Sequence, residues 1–272
     1  MALKFKTKIK SFIRKMINFS DVQDKIVNYI RKKHTTIRYM GNDYKFSVPN
    51  KLCLYRAKSF STKEPETLLW IDSFPKGSIF WDIGANVGLY SIYAAKARNC
   101  QVFSFEPSVF NLETLARNIY LNNLGALITI MPFAVNDKMG RGDLNMSTES
   151  WGGALSTFDK TYGFDGEEFE ALFKYPIFSL SMDDAINQLN LEFPDYIKID
   201  VDGIEQLILA GGLEVLKNVK GVLIELQGAW QEQTNICEGI LSKTGMHKIH
   251  NSVWHQIDNP QGSPNQIWER RP

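Results

Sequence analysis

Residues 79–95, IFWDIGANVGLYSIYAA, restrict the fold more than any other stretch of this chain. An apolar run of strand-forming residues stops on Asp82, crosses Gly84 and Gly88, and passes directly into apolar positions at helical spacing. A carboxylate inside such a run is costly unless it has a partner. The two glycines let the backbone turn tightly and let a ligand approach it, and the helix that follows offers unsatisfied N–H groups. The stretch therefore predicts a strand, a ligand-binding turn and a helix in direct succession.

That rhythm continues. SIFWD and VGLYSIYAAKA are followed by CQVFSFEP and VFNLETLARNIYLNN, then by ALITIMPFAV; further on come DYIKID, a helix over 204–210, and KGVLIELQ. Strands alternating with helices imply an α/β fold: a mostly parallel sheet with helices on both faces and ligands at the carboxyl ends of its strands. Residues 136–176, rich in Gly, Ser and Thr, interrupt the alternation and read as a loop or short hairpins over those strand ends. Residues 251–272 read as a closing antiparallel hairpin. Upstream, TIRYMGNDYKFSVPN predicts a hairpin about Gly41-Asn42-Asp43, LCLYRAKSF a further strand, and KEPETLLWIDSF a helix with Pro65 in its first turn.

Three segments result: a leader over 1–35, a hairpin-and-helix extension over 36–75, and the α/β domain over 76–272. The 272 residues sum to +1, which argues for no particular charged partner. The distribution is uneven, however. Residues 1–33 hold ten Lys or Arg against Asp21 and Asp24, a net of +8, which leaves −7 for the remainder. Apolar residues in the leader recur at steps of three or four, so it reads as basic amphipathic helix, either packed on its own domain or lying on an anionic membrane. No run approaches the roughly 18 apolar residues of a membrane span, and no signal-peptide pattern is present. The expected location is the cytoplasm, with peripheral membrane contact through residues 1–33. Cys53, Cys100 and Cys237 form neither a metal pattern nor a disulfide framework and read as buried thiols.

The turn departs from the dinucleotide fingerprint G-x-G-x-x-G, because Asn86 and Leu89 stand where the later glycines would fall. D-x-G-x-N-x-G instead resembles the first motif of S-adenosylmethionine-dependent methyltransferases. Glu106 ends the next strand 24 residues after Asp82, where an acid accepts hydrogen bonds from ribose hydroxyls. Residues 194–212, PDYIKIDVDGIEQLILAGG, add a strand ending in two acids, a glycine turn and a helix. With DIGANVGLYS and FEPS upstream, this order resembles the FkbM-type methyltransferase family over roughly residues 60–227.

The resemblance implies a Rossmann-like methyltransferase sheet and methyl transfer from S-adenosylmethionine, usually to oxygen on glycans or natural products. It matches Asp82, Gly84, Ala85, Asn86 and Gly88 to the cofactor turn and Glu106 with Pro107 to the ribose. The MPFAV segment with Ala134 corresponds to the adenine wall, where Met131 and Phe133 serve equally well as core. Lys198, Asp200 and Asp202 fall at the reaction end, and Glu64 and Thr67 in KEPET match a short family motif.

The chemistry makes its own demands. In-line transfer to an alcohol needs alignment of the reacting atoms and removal of a proton. Tyr196, Lys198 and Asp200 alternate onto one strand face, with Asp200 nearest the carboxyl end. Asp200 serves as base or metal ligand, and Lys198 steadies an oxyanion or acts as base if burial lowers its pKa. Glu225, ending the adjacent strand, faces the same cleft. Asp200 and Asp202 make a D-x-D pair able to hold a divalent cation such as Mg²⁺, although Asp202-Gly203 is also an ordinary helix cap and turn. Trp151-Gly152-Gly153 offers a sugar-stacking face or closes the core. The four histidines have no metalloenzyme spacing; surface or structural roles fit them best.

The leading expectation is an O-methyltransferase acting on a saccharide or glycoconjugate. A metal-dependent glycosyltransferase using Asp200 and Asp202 would leave the turn and Glu106 unexplained. A cofactor-binding module without turnover is the third reading. Nucleic acid is disfavoured as a partner by the acidic domain and by the absence of a D-P-P-Y or N-P-P-Y motif.

Overall fold

The computed structural model describes residues 20–168, 170–226, 230–249 and 265–271. The chain opens with a helix over 20–32 (α1), then β1 (His34–Tyr39) and β2 (Asn42–Ser47), paired antiparallel as the hairpin the sequence predicts. The first difference follows. LCLYRAKSF forms no strand but most of α2 (Lys51–Lys58), because the Asn50 side chain caps it by accepting from the Cys53 amide at 2.8 Å, and Cys53 and Ala57, one turn apart, are buried together. Pro65 opens α3 (Pro65–Asp72) as expected.

The central sheet contains β3 (Ile79–Ile83), β4 (Gln101–Phe105), β5 (Ile128–Met131), β10 (Tyr196–Ile199), β11 (Gly221–Glu225), β12 (Met246–Lys248) and β13 (Asn265–Arg270) in the order β12-β13-β11-β10-β3-β4-β5. The five strands from β11 to β5 are parallel, and β13 runs antiparallel between β11 and β12. The expected closing hairpin is thus made by β13 with β12, while residues 251–264 lie outside the described part. Chain order reverses between β3 and β10, which places the switch point, and any ligand, at the carboxyl ends of those two strands.

Each parallel strand is apolar on both faces because helices cover both. Trp81 and Ile83 face one core, and Phe80 faces the other. That second core joins the sheet to α4 (Leu89–Arg98), to α5 (Val109–Asn122) and to the N-terminal extension through Tyr44, Phe46 and Phe60. Phe74 stacks on Tyr196 with ring centroids 3.8 Å apart.

The second difference concerns the interrupting segment. Residues 134–180 build their own four-stranded sheet, β6-β9-β7-β8, from β6 (Ala134–Val135), β7 (Gly140–Met146), β8 (Thr157–Phe158) and β9 (Phe173–Leu180). β9 alternates in burial along FKYPIFSL, the two-residue period of a half-covered strand, and pairs with β7 over seven residues. Gly142 is required there because the Phe158 ring lies where a Cβ would stand, at 2.6 Å. The remaining helices are α6 (Met182–Leu189), α7 (Glu205–Ala210), α8 (Leu213–Asn218) and α9 (Gln231–Lys243).

Two asparagines of α5 dock the extension. Asn122 exchanges hydrogen bonds with the Lys45 backbone, accepting at 3.0 Å and donating at 2.7 Å. Asn118, fully buried, accepts from the Ser47 amide and donates to the Val87 carbonyl, both at 2.7 Å, so it ties β2 to the turn after β3. Asn118→Ala strands both backbone groups, which predicts a loss of about 2–4 kcal/mol in urea unfolding. Tyr120→Ala, at an exposed position of the same helix, is expected to change stability by less than about 0.5 kcal/mol.

Candidate active site

The turn after β3 is held from beneath. Gly84 and Ala85 both donate their amides to the Phe105 carbonyl at 3.0 Å, and Gly84, at φ +83°, passes so close to β10 that a Cβ would stand 1.9 Å from the Asp200 carbonyl oxygen. The glycine is therefore demanded by strand contact as well as by the turn. Gly88, also at positive φ, lets α4 start against Leu115 of α5. Asn86 adopts φ +50° and donates its amide to Glu106 at 2.8 Å.

Glu106 ends β4, almost wholly buried, and also accepts from the Ser108 amide at 2.8 Å. Burial pushes its carboxyl up to about 7, against the pull of those two amides. Pro107, Phe133 and Ala134 line an apolar slot beside it with Phe158 and Val201, whereas Met131 belongs to the core.

Asp82 lies below the turn rather than on a cavity wall. Its Oδ2 accepts from the Ser91 hydroxyl at 2.5 Å, and Ser91 in turn accepts from Ser104 at 2.8 Å. Register sets Asp82 opposite Lys198. Burial raises the Asp82 carboxyl pKa, and the Lys198 charge opposes that rise.

Lys198 is 1% exposed and donates to Asp200 at 2.5 Å, with its ammonium 4.8 Å from the centre of the Tyr90 ring. Burial alone pulls its pKa down, but the charges of Asp200, Glu64 and Asp82 outweigh it and hold Lys198 protonated, above the ordinary lysine range. This corrects the expectation that it could act as a base. Asp200 and Glu225 are hydrogen-bonded at the ends of adjacent strands and titrate oppositely. Burial works to raise Asp200, yet Lys198 keeps it well below the usual carboxylate range; burial and the Asp200 charge push Glu225 well above it.

The D-x-D pair does not itself converge as a cation site among the described residues. Asp202 accepts from the Ser156 amide at 3.1 Å and fastens the loop before β8. Among the described residues, the carboxylates whose oxygens converge within 4.8 Å are Glu64, Asp200 and Glu225, and Lys198 already supplies positive charge there. Burial raises the Asp202 carboxyl to about 6.

Two cavities, of about 190 and 230 Å³, share Arg56, Lys63, Gly84, Asn86 and Asp200. The first runs under α2 and along α4. The second is bounded by Phe164, Asp202, Glu205, Glu225 and Gln233. Glu205 is buried, which raises its carboxyl to about 8, and accepts from Gln233 at 2.6 Å.

The Gly153 carbonyl accepts from Asn86 and Asn111 at 2.6 and 3.1 Å, so the loop over 147–156 is pinned to the turn. Trp151 itself does not close the core, being 37% exposed. Its ring lines an outer groove with Val27 and Ile30, and its Nε1 donates to Glu113 at 3.0 Å. His34 and His247 are exposed, and His250 and His255 lie outside the described residues. Cys53, Cys100 and Cys237 are buried and free, as expected.

Arg56, Lys63 and Tyr90 were not legible as site residues. Arg56 sits in the segment that reads as a strand, and in the structure its Nε donates to the Gly152 carbonyl at 2.7 Å.

The residues present fit S-adenosylmethionine: a glycine turn bordering an open cavity, a strand-end carboxylate with acceptor capacity left for ribose hydroxyls, and an apolar slot beside it. Fold and site thus define a methyltransferase of the Rossmann-like class, and comparison with known proteins makes the assignment specific. The family described as "Methyltransferase FkbM domain" matches residues 82–252, and the chain belongs to that family of S-adenosylmethionine-dependent methyltransferases. Hexuronic acid methyltransferase AglP of Haloferax volcanii is 22% identical over 186 residues, covering 68% of this chain and 71% of AglP. Among solved structures, TYW2 of M. jannaschii in complex with AdoMet is similar with TM-score 0.44 and 13% identity, over 88% of this chain and 87% of that one. Precorrin-6y C5,15-methyltransferase from Geobacter metallireducens is similar with TM-score 0.41 and 14% identity, over 68% and 71%.

Because Glu106 binds its proton more tightly folded than unfolded, the ligand-free protein loses stability as pH rises from about 4.5 to 7. Glu106→Gln is expected to lessen that slope in a thermal-unfolding pH series, the raised Asp202 carboxyl supplying a remaining part.

Proposed function

We propose that the chain transfers a methyl group from S-adenosylmethionine to a hydroxyl oxygen of a saccharide or glycoconjugate. The observation that carries this reading is the Lys198–Asp200–Glu225 group, which meets the cavities shared with the glycine turn. The cofactor supplies an electrophilic methyl group. Asp82, Gly84, Ala85, Asn86 and Gly88 shape the turn that receives its methionine end, Glu106 and Pro107 take the ribose, and Ala134 flanks the adenine. At the reaction end, Asp200 accepts the acceptor hydroxyl's hydrogen bond and would take its proton as the C–O bond forms and the methyl carbon's bond to the cofactor sulfur breaks, with S-adenosylhomocysteine as the leaving group. Glu225, protonated, donates to Asp200 and fixes which oxygen faces the acceptor. Lys198 stabilises negative charge without exchanging its proton.

Two observations support a sugar as acceptor. Asp202, Glu205 and Gln233 give the second cavity several hydroxyl-binding groups beside the Phe164 ring, and AglP is named for methylating a hexuronic acid.

The test is release of S-adenosylhomocysteine from S-adenosylmethionine across a panel of hexosides and hexuronosides. One or more should turn over, and Asp200→Asn should lower kcat about 100-fold or more while changing cofactor affinity far less. Turnover only with non-saccharide acceptors would refute the substrate class; unchanged kcat in Asp200→Asn would refute the assigned base.

A further inference from the structure

We propose that α1 is an interfacial helix that lays its apolar stripe into the headgroup boundary of an anionic bilayer. Val22, Ile26 and Tyr29 succeed one another at steps of four and three, so they share an arc of about 60° on the helix. They are 52%, 53% and 69% exposed, far more than core residues of a docked helix. The helix nevertheless has a docked edge: Val27, Ile30 and Arg31 line the outer groove against Pro49, Arg117 and Trp151. Its orientation is therefore set, and the free stripe points away from the protein's own body.

Charge selects the occupant. Lys25 and Lys32 border the stripe along one side, Lys33 follows its last turn, and Asp21 and Asp24 lie about 80° and 140° from the nearest stripe residue, Tyr29. Residues 1–33 carry +8 while the rest of the chain carries −7. A surface dense in lipid phosphates attracts the first part and repels the second, which turns the α1 side toward the membrane. Apolar insertion and polybasic attraction together meet the two-signal requirement for stable anchoring. Among the described residues no helix is long and apolar enough to cross a membrane, so the contact is one of lying on the surface.

The experiment is co-sedimentation of the full chain with phosphatidylcholine vesicles and with vesicles that also contain phosphatidylserine. Binding is expected to require phosphatidylserine and to disappear at about 0.5 M salt. Ile26→Asp should weaken partitioning at least about tenfold and Lys32→Glu about fivefold, with thermal unfolding and S-adenosylmethionine binding unchanged in both. Equal binding to neutral vesicles, no binding to either, or partitioning indifferent to Ile26→Asp would overturn the proposal. So would a dimer in solution that Ile26→Asp dissociates, because the stripe would then belong to a second copy.

Discussion

The site depends on one buried ammonium. Lys198 stands in the middle of a parallel sheet, opposite Asp82 on β3 and two residues before Asp200. Its charge is what allows Asp200 to stay ionised among Glu64 and Glu225. A lysine taken out of water is costly unless it is paired, and here the carboxylates that face it, Asp200, Glu64 and Asp82, come from elements that must all be in place together. The sheet register, the turn at Gly84 and the acid pair at the strand ends are therefore parts of one electrostatic arrangement. None can shift without leaving a charge unpaired.

A second consequence concerns the cofactor turn, whose geometry is fixed from four directions. Phe105 carbonyl, Glu106 carboxylate, Asn118 amide and Gly153 carbonyl each take or give a hydrogen bond to residues 84–87. Three come from the α/β core, and Gly153 comes from the loop that joins β7 to β8 of the separate four-stranded sheet. The inserted sheet is thus coupled to the turn through Asn86 rather than merely covering it.

Much of this was legible in the sequence because periodicity and glycine spacing report backbone requirements directly. The strand–turn–helix at 79–95 and the strand with two acids at 196–202 follow from rules that need only neighbours a few residues away. What escaped notice depends on distant partners. Arg56 is hidden in a segment whose helix is decided by the Asn50 cap, and the sheet over 134–180 is built from strands whose partners lie far along the chain, as Gly140 pairs with Ser179. Asp202 looks like a ligand in D-x-D, and only the Ser156 amide shows that it fastens a loop. The Lys198 pKa could be argued in either direction from sequence, since its burial and its three acidic neighbours act oppositely.

The placement of β13 bears on how the molecule is made. This strand separates β12 from β11 and pairs with β11 along Gly221–Glu225, yet it comes forty residues later in the chain. Until residues 265–270 have left the ribosome, β11 presents an open edge of unpaired backbone groups, and the strand that ends in Glu225 has a neighbour on one side only. Synthesis therefore passes through a stage in which the parallel half of the sheet exists with a sticky border. Lys220, the charged residue that leads into β11 at that border, is suited to discouraging unwanted pairing with other chains while the last strand is still being made.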